Sequence, residues 1–164
     1  MAGGPEFNCQ KDISGGAATL TLSGVINERT ALGSVFEDLE CDELIINLKG
    51  ITRINSCGVR DWVNATKPLS AKFKIKYTEC SAAIVDQLNM IVNFLSAGDI
   101  VSFYAPYCCE ACEKEFDILL NISEHFADPE DREEPAAPEI ACPDCGKPMC
   151  FNEDEERYLS FISD

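Results

Sequence analysis

Leu20-Thr21-Leu22-Ser23-Gly24-Val25-Ile26 opens with strict apolar–polar alternation, the period of a strand with one buried face. Asn27 follows, a residue suited to capping a helix. Leu32, Val35, Phe36 and Leu39 then recur at helical spacing and predict an amphipathic helix. Glu43-Leu44-Ile45-Ile46-Asn47-Leu48 is a short, nearly continuous apolar run, as a strand buried on both faces shows. A second helix is expected after Asn55-Ser56-Cys57-Gly58, with Ser56 as its cap and Val59, Trp62 and Val63 on its core face. Phe73 to Tyr77 alternates again. Ser81 caps a third helix carrying Ile84, Leu88, Ile91 and Leu95, which Gly98 ends, and Ile100–Tyr104 reads as a further strand. The order β-α-β-α-β-α-β predicts an α/β class with helices packed on a sheet.

The pattern changes after residue 105. Phe116, Ile118 and Leu120 alternate like a strand, and Tyr158, Leu159, Phe161 and Ile162 suit a short C-terminal helix. Between them, residues 127–139 hold seven charged residues and three prolines without one large apolar side chain, so a mobile acidic loop is expected. The chain therefore divides into a flexible N-terminus (residues 1–12), an α/β body (13–105) and a C-terminal element (106–164).

Charge sharpens this division. The formal charge is −16, and residues 101–164 contribute −13 of it, with four Lys/Arg against 17 Asp/Glu. Such a surface repels phosphate backbones and anionic lipid, which argues against nucleic-acid partners. No apolar run reaches the roughly 20 residues of a membrane span, so no membrane insertion is expected. Met1–Lys11 lacks the apolar core of an export signal, which points to the cytoplasm. Lys72, Lys74 and Lys76 alternate with Phe73, Ile75 and Tyr77 and share one strand face, most simply a solvated one.

Ten cysteines fall into two groups. Cys9, Cys41, Cys57 and Cys80 are scattered and read as reduced thiols. Cys109-Glu110-Ala111-Cys112 and Cys142-Pro143-Asp144-Cys145-Gly146 are two Cys-x-x-Cys knuckles. Two intervening residues let one tight turn present both sulfurs to a tetrahedral ion. Cys109, Cys112, Cys142 and Cys145 are thus the expected ligands of a structural Zn2+. Four thiolates fill the coordination sphere and leave no water to activate. Cys108 is an alternative to Cys109, and Cys150 is expected to lie buried on the last strand. His125, the only histidine, is read as a surface or loop residue.

The segments Gly24-Val25-Ile26-Asn27, Leu44-Ile45-Ile46-Asn47-Leu48 and Ile54-Asn55-Ser56-Cys57-Gly58-Val59 together resemble the STAS (anti-sigma factor antagonist) family over residues 18–105. The knuckles resemble a zinc ribbon appended to that body. The resemblance implies a STAS-like sheet in a bacterial cytoplasmic protein. It also implies a regulatory partner, such as a kinase-type anti-sigma factor or a scaffold, docking on Asn27, Asn55, Ser56, Cys57 and Gly58. It makes Ser56 the phosphoacceptor, whose added charge of about −2 would repel or release that partner. Asn55 stands where the family carries an acidic residue, and Asn27 where the first turn often carries Asp; Ser56 as a plain helix cap is the competing reading. With a single histidine and no glycine-rich phosphate loop, catalysis is not expected. A thiol redox sensor that releases zinc, or a nucleotide-binding STAS domain, are the alternative functions.

Overall fold

Gly15 and Gly16 both take positive φ, 59° and 82°, which a two-residue type I′ hairpin turn requires. They fold β1 (Asn8–Ser14) back along β2 (Ala17–Ile26) as an antiparallel pair. The computed structural model describes residues 6–91, 93–95 and 98–163. Of the N-terminal stretch expected to be flexible, residues 8–12 are therefore strand, and residues 1–5 lie outside the described residues.

From β2 onward the chain alternates. After it come α1 (Leu32–Val35), β3 (Glu43–Ile54), α2 (Ser56–Thr66), β4 (Lys74–Thr78), α3 (Ala82–Met90) and β5 (Asp99–Ile100). The sheet order is β1-β2-β3-β4-β5, and β2 to β5 run parallel. Parallel neighbours need a crossover, and the intervening helices supply it. Alternate residues of β2 are fully buried (Ala18, Leu20, Leu22, Ile26), as the period-two pattern demands. They meet Leu44, Ile46 and Leu48 of β3, and Ile75 and Tyr77 of β4. Trp62 of α2 is wholly buried and stacks on Phe94 at 6.1 Å, with Phe36 edge-on at the same distance.

A second sheet, ordered β7-β6-β8, follows: β6 (Ser102–Cys109), β7 (Lys114–Asn121) and β8 (Cys150–Phe151), all antiparallel. Short helices α4 (Ile122–His125), α5 (Pro129–Glu133) and α6 (Glu155–Tyr158) decorate it. A bridge between Cys80 and Phe103 joins the two sheets. The class is mixed α/β, with helices on a partly parallel, partly antiparallel sheet.

Several elements differ from expectation for local reasons. The first helix is one turn only, because Asp38 turns to positive φ (56°) and Phe36 and Leu39 pack from a loop. The third helix stops at Met90, not Gly98; Ile91 is already extended. Gly98 has another role: a Cβ there would lie 2.3 Å from the Tyr77 ring. Ile100–Tyr104 is split between β5 and β6, so the boundary drawn after residue 105 falls inside a strand. Within the acidic segment, α5 forms a helical turn, Arg132 Nε donates to Phe126 O (2.9 Å), and Tyr107 Oη donates to Pro138 O (2.8 Å). Of the three lysines, Lys72 lies before β4, and Lys76 pairs with Glu43 at 3.3 Å.

The C-terminal end docks through Asn89 and through Tyr158, whose Oη donates to Tyr104 O at 2.6 Å. Asn89 of α3 donates to Tyr158 O (2.8 Å) and accepts from Ser160 Oγ (2.9 Å) and Phe161 N (3.0 Å). Tyr158, Leu159 and Phe161 are buried, as their spacing predicts.

Candidate functional site

The first knuckle is the tip of the β6–β7 hairpin. Register pairs Cys109 with Lys114, so residues 110–113 form the turn, and Glu113 takes positive φ (56°). The second knuckle is the tip of a smaller hairpin closed by an Ala141–Pro148 bridge. Cys142 N donates to Lys147 O (2.8 Å), Met149 N donates to Ile140 O (2.9 Å), and Gly146 has φ 77°. Both knuckles thus place a left-handed residue directly after their second cysteine. Glycine fills that position without strain in the second knuckle, and glutamate fills it in the first.

The two tips meet. The sulfurs of Cys109, Cys112, Cys142 and Cys145 all lie within 4.8 Å of one another. Cys109 Sγ is 3.6 Å from Cys145 Sγ, and Cys112 Sγ is 3.9 Å from Cys142 Sγ. A tetrahedron with metal–sulfur bonds of about 2.3 Å has edges of about 3.8 Å, so these separations suit four thiolates around one ion. The Cys112 N–H points at the Cys109 sulfur, and those of Asp144 and Cys145 point at the Cys142 sulfur. Lys114 Nζ reaches Asp144 Oδ2 at 2.8 Å, a second link between the knuckles.

Proton affinities fit a cluster built for a cation. The Cys145 thiol and burial push Cys112 up to about 12. The Cys112 N–H opposes any rise at Cys109, yet burial with the Cys145 and Cys142 thiols outweighs it and raises that thiol too. Burial opposes ionisation of Cys142, but the two N–H groups and the Cys109 and Cys145 thiols outweigh it and bring it to about 7. In the absence of metal, Cys142 therefore gives up its proton more readily than Cys109 or Cys112. A central dication removes that conflict, because metal ligation deprotonates a thiol outright.

The structure decides between the surplus cysteines. Along β6, Phe103, Ala105, Tyr107 and Cys109 face inward, while Tyr104, Pro106 and Cys108 lie half-buried on the other face. Cys108 therefore points away from the cluster. Cys150 lies on β8, as expected, but is exposed rather than buried, and it sits directly across the ladder from Cys108. His125 Nδ1 accepts from Asn121 N (3.0 Å) within its own short turn. All ten cysteines are free thiols, and Cys80 is fully buried, which raises it to about 12.

The serine loop is built differently from expectation. Asn55, not Ser56, is the helix cap: its Oδ1 accepts from Gly58 N at 2.8 Å. Ser56 is the first residue of α2 and is exposed. Asn27 does not cap α1, which starts at Leu32. Its Oδ1 accepts instead from Arg29 N (2.9 Å), and its own N–H donates to Thr30 Oγ1 (3.0 Å), which closes a tight turn. The two turns are joined: Asn55 N donates to Ile26 O (3.2 Å) and Asn55 Nδ2 to Glu28 Oε2 (2.8 Å). The Asn55 amide, foremost, holds the Glu28 carboxyl below its usual range. Asn27, Asn55, Ser56 and Cys57 thus gather at one end of the parallel strands, with Asn27 and Cys57 half-buried. Gly58 does not join that surface, because it is buried against Ile26.

Glu28 is the residue of this site that sequence reasoning passed over. It stands next to Asn27 in the chain, but only the fold brings it to Asn55, and no local pattern marks that pairing. Among the described residues no helix is long and apolar enough to cross a membrane. The sequence matches no protein-family model and no curated protein.

Proposed function

We propose that the chain is a non-enzymatic, cytoplasmic regulatory protein-binding module. In this reading it has a STAS-like body, and a structural zinc ion holds its C-terminal ribbon. The observation that carries the binding reading is the exposed serine at the tip of α2. Asn55 supplies the cap, so the Ser56 hydroxyl is not required for it and stands free beside the Asn27 turn. A phosphate on Ser56 would sit at the N-terminus of an 11-residue helix, where unpaired N–H groups and the helix dipole favour an anion. Asn55 in the place of a carboxylate keeps the cap and removes a like charge from the acceptor's neighbour. Glu28, from the Asn27 turn, supplies a carboxylate that the Asn55 amide holds. The parallel strands in chain order, with helical crossovers and the serine at the end of β3, support the STAS-like reading of the body.

Zinc is the metal the ligands favour. Four cysteine sulfurs at tetrahedral spacing, with no histidine or carboxylate among them, form a closed structural site. Its chemistry is stabilisation: the ion ties two hairpin tips that share little other structure, so binding energy becomes folding energy. The acidic surroundings keep nucleic acid away from this ribbon.

Affinity capture from the native cell extract with wild type, Ser56→Ala and Ser56→Asp tests the binding reading. A partner retained by wild type and Ser56→Ala but lost by Ser56→Asp supports it. Equal recovery by all three refutes the serine switch.

A further inference from the structure

Cys108 and Cys150 are register partners in the antiparallel β6–β8 ladder. Directly opposed residues of such a ladder project to the same face. That face is the one turned away from the metal cluster, with Cys108 half-buried and Cys150 exposed. Asn152 N donates to Pro106 O at 2.9 Å. Two residues along, the Cys108–Cys150 pair therefore falls on the hydrogen-bonded positions of the ladder, where Cα atoms stand about 5.5 Å apart. Disulfides span Cα separations of about 4.4–6.8 Å. The Cα separation of such a pair lies inside that range, and its Cβ atoms, about 4.5–5.5 Å apart across a ladder, must close to about 3.5–4.5 Å, a local adjustment that a two-residue strand such as β8 can make.

We propose that Cys108 and Cys150 form a redox-active dithiol that closes to a cross-strand disulfide when it meets a small-molecule disulfide of the glutathione class. The thiolate of one cysteine attacks the small disulfide, forms a mixed disulfide and releases one small thiol. The second cysteine, as thiolate, attacks the protein sulfur of that mixed disulfide and expels the second small thiol. The protein loses two electrons and two protons, and the oxidant gains both as two thiols. The four cluster thiols lie on the opposite side of β6 or at the knuckle tips, so they take no part.

The consequence follows from where the pair sits. Cys109, Cys112, Cys142 and Cys145 all lie between Cys108 and Cys150 in the chain. Closing the bridge turns the segment that carries both knuckles into a covalent ring. It also pins β8, a strand of two residues, to β6. The bridge itself stands apart from the metal reading, whereas its effect on metal release rests on that reading.

The test incubates the full chain, as purified with its metal, with oxidised glutathione. Intact mass and tandem fragmentation of non-reduced peptides then locate the bonds, and zinc content is measured on the same sample. The expected wild-type product is a monomer lighter by two hydrogens, with Cys108 joined to Cys150. Cys108→Ser and Cys150→Ser should each instead carry one glutathione on the remaining partner and no internal bridge. Chelator should strip zinc roughly tenfold more slowly from oxidised than from reduced wild type, because the tethered knuckles keep a high effective concentration. A wild-type chain with no Cys108–Cys150 bond overturns the proposal, as does a bond confined to the four cluster cysteines or to chain dimers. A bridged chain that loses zinc at the reduced rate overturns the clamp. A chain that forms the bridge but carries no zinc refutes the metal reading and leaves the dithiol standing.

Discussion

Gly58→Ala isolates the contact on which the serine loop is built. A Cβ at residue 58 would lie 2.4 Å from Ile26 O and 2.8 Å from Ile26 C, both backbone atoms at the end of β2. Van der Waals contact requires α2 to withdraw by roughly an ångström. Ile26 O also accepts from Asn55 N, so that movement strains the bond joining the two turns. Overpacking of this kind costs about 1–3 kcal/mol, and a backbone obstacle places it near the upper end. Alanine returns up to about 1 kcal/mol through helix propensity, which leaves a net loss of about 2 kcal/mol. For a chain of 164 residues, that is a fall in Tm of about 4–8 °C. Thermal and urea unfolding followed by circular dichroism read it directly. Gly33→Ala is the control, because nothing lies within 4 Å of a Cβ there; it should be neutral or slightly stabilising. A Gly58→Ala protein that melts at or above wild type would refute the close approach and the loop geometry derived from it.

Other consequences follow from single contacts. Tyr77 Oη is buried with no hydrogen-bond partner among the described residues, so Tyr77→Phe should be neutral or raise stability by about 1 kcal/mol in urea titration. Glu113→Asn should stabilise the first knuckle by about 1 kcal/mol, since asparagine tolerates the left-handed backbone that Glu113 adopts; a loss would show that the glutamate side chain has another role. Asn89→Ala removes the three bonds that this side chain makes to the C-terminal end and should cost about 2–3 kcal/mol, with limited proteolysis cutting first near Tyr158. Metal uptake at neutral pH should release protons, because Cys109 and Cys112 hold theirs above the usual thiol range while Cys142 titrates near about 7. Lowering the pH should therefore weaken apparent affinity by about tenfold per displaced proton per unit, measured by chelator competition; a flat profile would exclude thiolate ligation.

Much of the four-cysteine cluster is written locally. Each Cys-x-x-Cys knuckle is a turn whose geometry depends on neighbours in the chain, so the four cysteines that come together could be named from spacing. The pairing of Cys108 with Cys150 is not local: it depends on the register of two strands separated by the whole metal-bearing segment. The β1–β2 hairpin was legible in principle, because Gly15-Gly16 just before an alternating strand is a turn signal. Sparse apolar content in Asn8–Ser14, an exposed edge strand, hid it. The cap at α2 was misplaced by one residue because Asn55 and Ser56 are both good caps, and only the Gly58 N–H shows which oxygen is used. Helix α1 fell short because its apolar residues reach the core from a loop as readily as from a helix. The link between Glu28 and Asn55 belongs to tertiary structure alone.

Native mass spectrometry with elemental analysis, on protein purified without added metal and then treated with chelator, tests the central claim most directly. One zinc per chain is expected, and its removal should unfold the β6–β7–β8 ribbon while the parallel strands persist. Metal-free protein whose ribbon keeps the same amide protection before and after chelator would contradict the claim that four sulfurs hold this end of the molecule through an ion.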